Sequence, residues 1–265
     1  MSIVDNITRL ILDGKSNYRV AKDITIEGDE FQVPSNYKVV YYDDFKGNLD
    51  TNWHKTIDLN QPYHPNQLWQ WYDASLVQQN RNGVTLDEKF KPKKFVGVKN
   101  PIDWAIGTMM SKQTYMYGIY KFTLKLPYGK YLWPAIWLSG SKNWPPEIDI
   151  LEAYSGEDCI YDTDSRLTTN IHYSRNGKHK QVGAMKHPLP NKVTEEYLNF
   201  ILHWEKGFIK IYYNGYKVYQ CTDSIILNKI NEPMHIIMNN GRENVNDHRG
   251  SVTPLTISSV VIYQK

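Results

Sequence analysis

The sequence has little cysteine, no large excess of one charge and no long apolar run, and each shortage removes a class of protein. Cys159 and Cys221 are the only cysteines in 265 residues, too few for a disulfide scaffold and without metal-site spacing. Lys plus Arg exceeds Asp plus Glu by 31 − 28 = 3, and no basic run is long enough to form an electrostatic footprint for nucleic acid. Apolar stretches such as Ala135–Leu138 and Val260–Ile262 fall far short of the ~18 residues that a membrane helix needs. There is no G-x-S-x-G elbow, P-loop or G-x-G-x-x-G, and no histidine pair at i, i+4 on one helix face, so serine-hydrolase, nucleotide and zinc-hydrolase chemistry have no support. Neither nucleic acid nor membrane is expected as a partner.

The N-terminus carries no export pattern. A secretory signal needs a positive start, an apolar segment and a small-residue cleavage site; here Asp5 comes early and Arg9 interrupts the apolar residues. Ile3, Ile7, Leu10 and Ile11 recur at helical spacing, and Asp13-Gly14 would end a short helix. Two readings stay open: a frayed terminal helix, or an attachment segment that contacts a larger assembly. Either way the chain divides into an N-terminal extension with a linker, residues 1–35, and a main domain, residues 36–265.

What is abundant is aromatic surface: 20 Tyr and 8 Trp, 13% aromatic residues in all, which makes sugar stacking a function to consider. From Tyr37 onward the pattern is β. Asn-Gly, the strongest short hairpin signal, occurs at Asn82-Gly83, Asn176-Gly177, Asn214-Gly215 and Asn240-Gly241. Leu198, Phe200, Leu202 and Trp204 alternate with Asn199, Ile201 and His203, as in a strand with one face on a core. Tyr117–Leu126 and Leu255–Tyr263 also read as strands. Strands with turns at short intervals and no helix-length spacers predict an all-β, antiparallel sandwich.

The chemistry concentrates in Glu147-Ile148-Asp149-Ile150-Leu151-Glu152, preceded by Trp133-Pro134-Ala135-Ile136-Trp137-Leu138 and Trp144-Pro145-Pro146. On a regular strand Glu147 and Asp149 share a face, while Glu152, at an odd offset, points away. One extra residue at Ile150-Leu151, a β-bulge, returns Glu152 to the side of the other two. Three carboxyls on one face repel one another and raise one another's pKa. Such a set could be a solvated acidic strand face, a divalent metal site, or the paired carboxyls of a retaining glycoside hydrolase. In the last case Glu147 attacks the anomeric carbon, Glu152 protonates the leaving oxygen and later activates water, and Asp149 holds their pKa values apart.

These residues resemble glycoside hydrolase family 16, the laminarinase, lichenase, agarase and carrageenase group, whose members carry a bulged E-[IL]-D-x-x-E after a W-P-A-x-W-L strand. The resemblance includes Tyr41-Tyr42-Asp43-Asp44-Phe45 with Gly47 and Trp53, Ser111-Lys112, Tyr117-Gly118, Leu126-Pro127, His172, Trp204 and Val260–Gln264. It implies a β-jelly roll of two curved antiparallel sheets of the concanavalin A type, a polysaccharide in the hollow face and retention of configuration. It also implies Glu147 as nucleophile, Asp149 as assisting acid and Glu152 as acid/base. Two positions depart from the family pattern. Lys121 and Thr123 stand where an acid–base pair is common, so an ion pair at the cleft edge is lost or rebuilt. Ser258 stands where many members place a calcium-binding Asp, so neither a structural calcium nor any other cofactor or metal is expected.

The expected substrate contacts are Trp133 and Trp137 on one strand face, Trp144 on a loop at the cleft end, Trp71 (with Trp69) as a distal platform, His172 near the cleavage point, and Asn239 hydrogen-bonding a sugar. Trp53 and Trp204 are assigned to the core. The leading expectation is a retaining endo-β-glycanase acting on a β-1,3 or mixed-linkage glucan outside a cell or on a particle. A β-galactan hydrolase, a transglycosylase and a non-catalytic carbohydrate-binding module on the same sandwich are its rivals.

Overall fold

The computed structural model describes residues 31–157, 167–187, 192–245 and 252–265. The N-terminal helix and Cys159 expected from the sequence lie outside them. One seven-stranded antiparallel sheet runs, in spatial order, Lys178–His187, Leu167–Arg175, Glu147–Ala153, Leu132–Gly140, Met234–Arg242, Thr108–Tyr115 and Trp53–His54. Facing it, an eight-stranded sheet runs Tyr216–Cys221, Phe208–Tyr213, Leu198–Glu205, Gly118–Lys125, Leu255–Gln264, Gly83–Leu86 and Val77–Asn80, with Lys38–Asp43 also paired to Leu255–Gln264. A small third sheet joins Gln70–Tyr72, Ile102–Ile106 and Glu88–Lys93. The two large sheets form a jelly-roll sandwich, as the strand pattern predicts. Among the described residues no helix is long and apolar enough to cross a membrane.

Period-2 alternation builds the core. Leu198, Phe200, Leu202 and Trp204 turn inward from one sheet, and Ile136, Leu138, Ile148 and Ile150 meet them from the other, all buried in one cluster with Trp53. Ile201 faces the opposite way yet is also buried, beneath Tyr37 and Ile119 with Phe31 and Val33 packed alongside. The sandwich is therefore already being covered at Phe31, within the stretch assigned to the linker.

The Asn-Gly signals succeed where the turn supplies positive φ and fail where it does not. Asn214-Gly215 (φ 48° and 90°) and Asn176-Gly177 (φ 54° and 70°) form tight two-residue hairpins, both residues left-handed as the turn demands. At Asn82-Gly83 the turn slips back by one residue, to Arg81-Asn82, and Gly83 becomes the first residue of its strand. Asn240-Gly241 is no turn. Both residues sit inside Met234–Arg242, opposite Pro134 and Trp133, and a Cβ at position 241 would meet the Trp133 carbonyl oxygen at 2.8 Å. Glycine serves there for close approach of two backbones.

The end of Met234–Arg242 is pinned by a buried ion pair. The Arg242 guanidinium donates to Glu88 Oε1 at 2.8 Å and lies 3.5 Å from the centre of the Trp104 ring, with both charged side chains at most 2% exposed. The Arg242 backbone is held as well, its N–H by Gln70 and its carbonyl by the Trp69 indole N–H. These contacts tie the small sheet to the strand that carries Asn239. Arg242→Met would leave Glu88 buried without its cation, and we expect a loss of about 3–5 kcal/mol. The loss should be larger at pH 8 than at pH 5, because burial already pushes the Glu88 carboxyl up to about 7 and protonation relieves it. Urea unfolding at the two pH values checks this; a loss under ~1 kcal/mol at both would show the pair to be dispensable.

Candidate active site

The acidic strand lies between Leu132–Gly140 and Leu167–Arg175, and both registers jump at the same place. Along the first, Ser139, Leu138 and Trp137 face Glu147, Ile148 and Asp149, after which Ile136 faces Leu151 and Ala135 faces Glu152. Along the second, His172 and Asn170 face Glu147 and Asp149, and Thr168 then faces Glu152. One residue is extra at Ile150-Leu151, the position that the acid spacing requires. Ile148, Ile150, Leu151 and Ala153 enter the core, while Glu147 and Glu152 stay partly open on the other side. The bulge is braced from beneath by Tyr213, whose buried hydroxyl donates to the Ile150 carbonyl at 2.8 Å and lies 3.1 Å from that of Thr168.

Directly opposed residues of antiparallel strands share a face, so the register lays out three rows on the acidic face. One runs His235, Ser139, Glu147, His172, Gln181; the next Ile237, Trp137, Asp149, Asn170; the third Asn239, Ala135, Glu152, Thr168. Indole N–H groups hold the carboxyls in place. Trp144 donates to Glu147 Oε2 at 2.9 Å, and Trp133 donates to Glu152 Oε1 at 3.0 Å. Tyr154 OH donates to the same Glu152 oxygen at 3.0 Å, its ring stacked on Trp133 at 5.6 Å. Trp137 donates to Asn239 Oδ1 at 2.8 Å. His172 Nε2 lies 3.1 Å from Asp149 Oδ2 and 3.4 Å from Glu147 Oε1.

Burial dominates the electrostatics. It pushes Glu147 up to about 8, assisted by the charge of Asp149 and opposed by His172 and the Trp144 N–H. Asp149, 4% exposed, is raised by burial and by Glu152. Glu152 is raised by burial against the pull of Tyr154, His172 and Trp133. Three carboxyls so placed cannot all carry charge at neutral pH, and they share protons as one unit. Glu147, Asp149 and His172 also bring ligand atoms within 4.8 Å of one another. These side chains bond with each other and with Trp144 and Asn170, forming an acid–imidazole network.

Residues 64–246 match the family model for glycosyl hydrolases family 16. The chain belongs to that family. An alignment 66 positions long, covering 22% of this chain, is 39% identical to a β-1,3-glucan-binding protein of Penaeus monodon; the match spans 18% of that relative's length. The family 16 domain also shares its fold with the LamA catalytic domain of Zobellia galactanivorans (21% identity, TM-score 0.71, 85% of this chain and 97% of that one). A LamA variant has been solved with laminaritriose and laminaritetraose. A second likeness of fold is to SCLam, described as a non-specific endo-β-1,3(4)-glucanase (20% identity, TM-score 0.70, 91% and 97% coverage).

The structure brings Glu147, Asp149, Glu152, Trp133, Trp137, Trp144, His172 and Asn239 to one face of the family 16 sheet. Trp144 is 56% exposed beside Glu147. Trp71 is excluded. It is 4% exposed, packed with Leu76, Ile102 and Ala105 under Tyr63 and Phe95, so it builds the small sheet's core. The Trp69 indole N–H donates to the Arg242 carbonyl, and its side chain is half-buried. Lys121 and Thr123 lie on the opposite sheet, where Thr123 bonds Asn199, so no cleft-edge pair belongs there. Ser258 donates to the Thr123 carbonyl in the same sheet.

Tyr154, Asn170, His179 and Tyr213 escaped sequence reasoning. Tyr154 follows Glu152 by two, an even offset that places it on the same face. His179 follows from the Asn176-Gly177 turn, which sets it diagonal to His172.

Raised carboxyl pKa values favour the folded state at low pH. Between about 4.5 and about 8 the folded chain binds protons that the unfolded chain has released, so this contribution is lost as pH rises. Glu147→Gln removes part of it. We expect the variant's stability margin over the parent to grow with pH across that window by up to roughly 1.4 kcal/mol per pH unit. Thermal unfolding from pH 4 to 8.5 checks this, and a margin that stays flat contradicts it.

Proposed function

We propose that the chain is a retaining endo-acting glycoside hydrolase cleaving a β-1,3 or mixed-linkage glucan. The observation that carries the proposal is the double register jump at Ile150-Leu151, which puts Glu147 and Glu152 on one face with Asp149 between them. Glu147 attacks the anomeric carbon while Glu152 gives its proton to the glycosidic oxygen, and a glycosyl ester forms on Glu147. Glu152 then takes a proton from water, which opens the ester, and the second displacement restores the starting configuration. Trp133 and Tyr154 both donate to Oε1 of Glu152, which leaves Oε2 to carry the transferred proton. Asp149 is the proton reservoir beside the nucleophile, with His172 supporting the charged form of both.

Trp144, exposed at the end of the acidic row, offers a ring face to a sugar, and Trp133 and Trp137 line the same side. The glucan preference rests on the Penaeus relative's name, on the solved β-1,3-glucanases of like fold and on the Trp-Pro-Pro run before the acids. A binding module is the second reading, favoured by the name of the Penaeus protein. Three intact acids with raised pKa values weigh for catalysis, since binding alone has no use for a buried, repelling cluster.

Glu147→Gln, which keeps the Trp144 contact, should lower turnover of laminarin at least ~10³-fold with circular dichroism unchanged. Near-parental turnover in this variant would remove Glu147 from the chemistry. Binding of laminarin and lichenan by the parent with no reducing sugar released would favour the binding module.

A further inference from the structure

His179 takes no part in the scheme above, yet it is the nearest polar neighbour of His172 on the side away from the acids. The Asn176-Gly177 hairpin pairs Ser174 with His179 and His172 with Gln181, so the two imidazoles are diagonal neighbours on one face. Their rings stack at 5.0 Å and 13°, and His172 Nδ1 lies 2.8 Å from His179 Nε2. The Trp144 ring closes over His179 at 4.8 Å. An unbroken line of polar contacts thus runs from the solvent edge through His179 and His172 to Asp149 and Glu147.

At its inner end His172 faces two competing claims. Asp149 and Glu147 call for a proton on Nε2. Asn170 Nδ2 lies 3.0 Å from the same nitrogen, and its amide is oriented by the Ile171 N–H on Oδ1, so it offers a donor and calls for a bare lone pair. Which claim wins depends on Nδ1, because a neutral imidazole carries one proton. If His179 donates from Nε2 to His172 Nδ1, the His172 proton stays on Nε2 and supports charged carboxyls. If His172 donates from Nδ1, Asn170 takes Nε2 and the carboxyls lose that donor.

We propose that His179 is a positioning residue that donates to His172 and holds its proton on Nε2, toward the nucleophile pair. This rests on the function proposed above for Glu147. The groups facing the two histidines are Glu147 and Asp149 from the acidic strand, Asn170 beside His172, Trp144 from the preceding loop and Lys180 next to His179. Burial, the largest cause, and the nearby Lys180 charge lower the pKa of His179, which favours its neutral form, a single-proton donor. Its side chain is exposed, so replacements leave the core untouched.

The test compares His179→Phe, which keeps a stacking ring without nitrogen, with His179→Gln, which restores an N–H donor. Nitrogen-15 spectra of the imidazoles read the His172 tautomer directly, and kcat and KM for laminarin are followed from pH 4.5 to 8.5. Expected is a His172 proton on Nε2 in the parent and in H179Q, and its departure to Nδ1 in H179F. The acid limb of kcat in H179F should move up by about one pH unit, KM changing less than about twofold, and H179Q should recover the parental limb. A parental tautomer and acid limb in H179F, or a uniform loss at every pH that H179Q does not rescue, overturns the proposal. The tautomer readout needs no turnover, so it decides the role of His179 even if Glu147→Gln removes the nucleophile assignment.

Discussion

Everything at the candidate site depends on one extra residue in one strand. A regular strand would send Glu152 into the hydrophobic core opposite Glu147, where a carboxylate without a partner is too costly to bury. The bulge at Ile150-Leu151 sends two consecutive aliphatic residues inward and returns the next acid to the open face. Its stability comes from the core side: Ile150 and Leu151 are fully buried, and Tyr213 from the facing sheet bonds the Ile150 carbonyl. The geometry of the three carboxyls is thereby held by hydrophobic packing on the reverse of the same strand, where water cannot compete.

The same burial has an electrostatic consequence. Moving three carboxyls into a poorly solvated row raises all three pKa values, and the cluster tolerates this only because every acid has a donor. Trp144 serves Glu147, His172 serves Glu147 and Asp149, and Trp133 with Tyr154 serve Glu152. The tryptophans that frame the motif therefore do two jobs. Their N–H groups fix the carboxyls, while Trp144 still leaves much of its ring exposed, as the proposed sugar contact requires. That double duty explains why indole rather than phenyl rings flank the acids, since only indole has a donor at its edge.

Much of this was legible in the sequence. The period-2 runs predicted the sandwich, and the odd spacing of Glu152 predicted the bulge to the residue, because only one insertion reconciles three acids with one solvent-facing side. Misreadings came where a local signal has two physical meanings. Asn240-Gly241 looked like a turn, but glycine also permits close strand approach. Trp71 looked like a platform, but the buried face that takes it belongs to a small third sheet that no local pattern announces. Arg242 and Glu88 lie 154 residues apart, and nothing local marks them as partners. Tyr213 reads as one more inward strand residue, and its bond to the bulge requires knowledge of which sheet faces which.

The central claim is that the bulge makes Glu147 and Glu152 a pair flanking one linkage from the same side of the sheet. The most direct measurement is the anomeric proton spectrum of the first products released from laminarin, taken before mutarotation. The account predicts β-configured reducing ends appearing first and relaxing toward the α/β equilibrium. Products that appear first in the α configuration would mean a single displacement by water, and the pairing described above would be wrong.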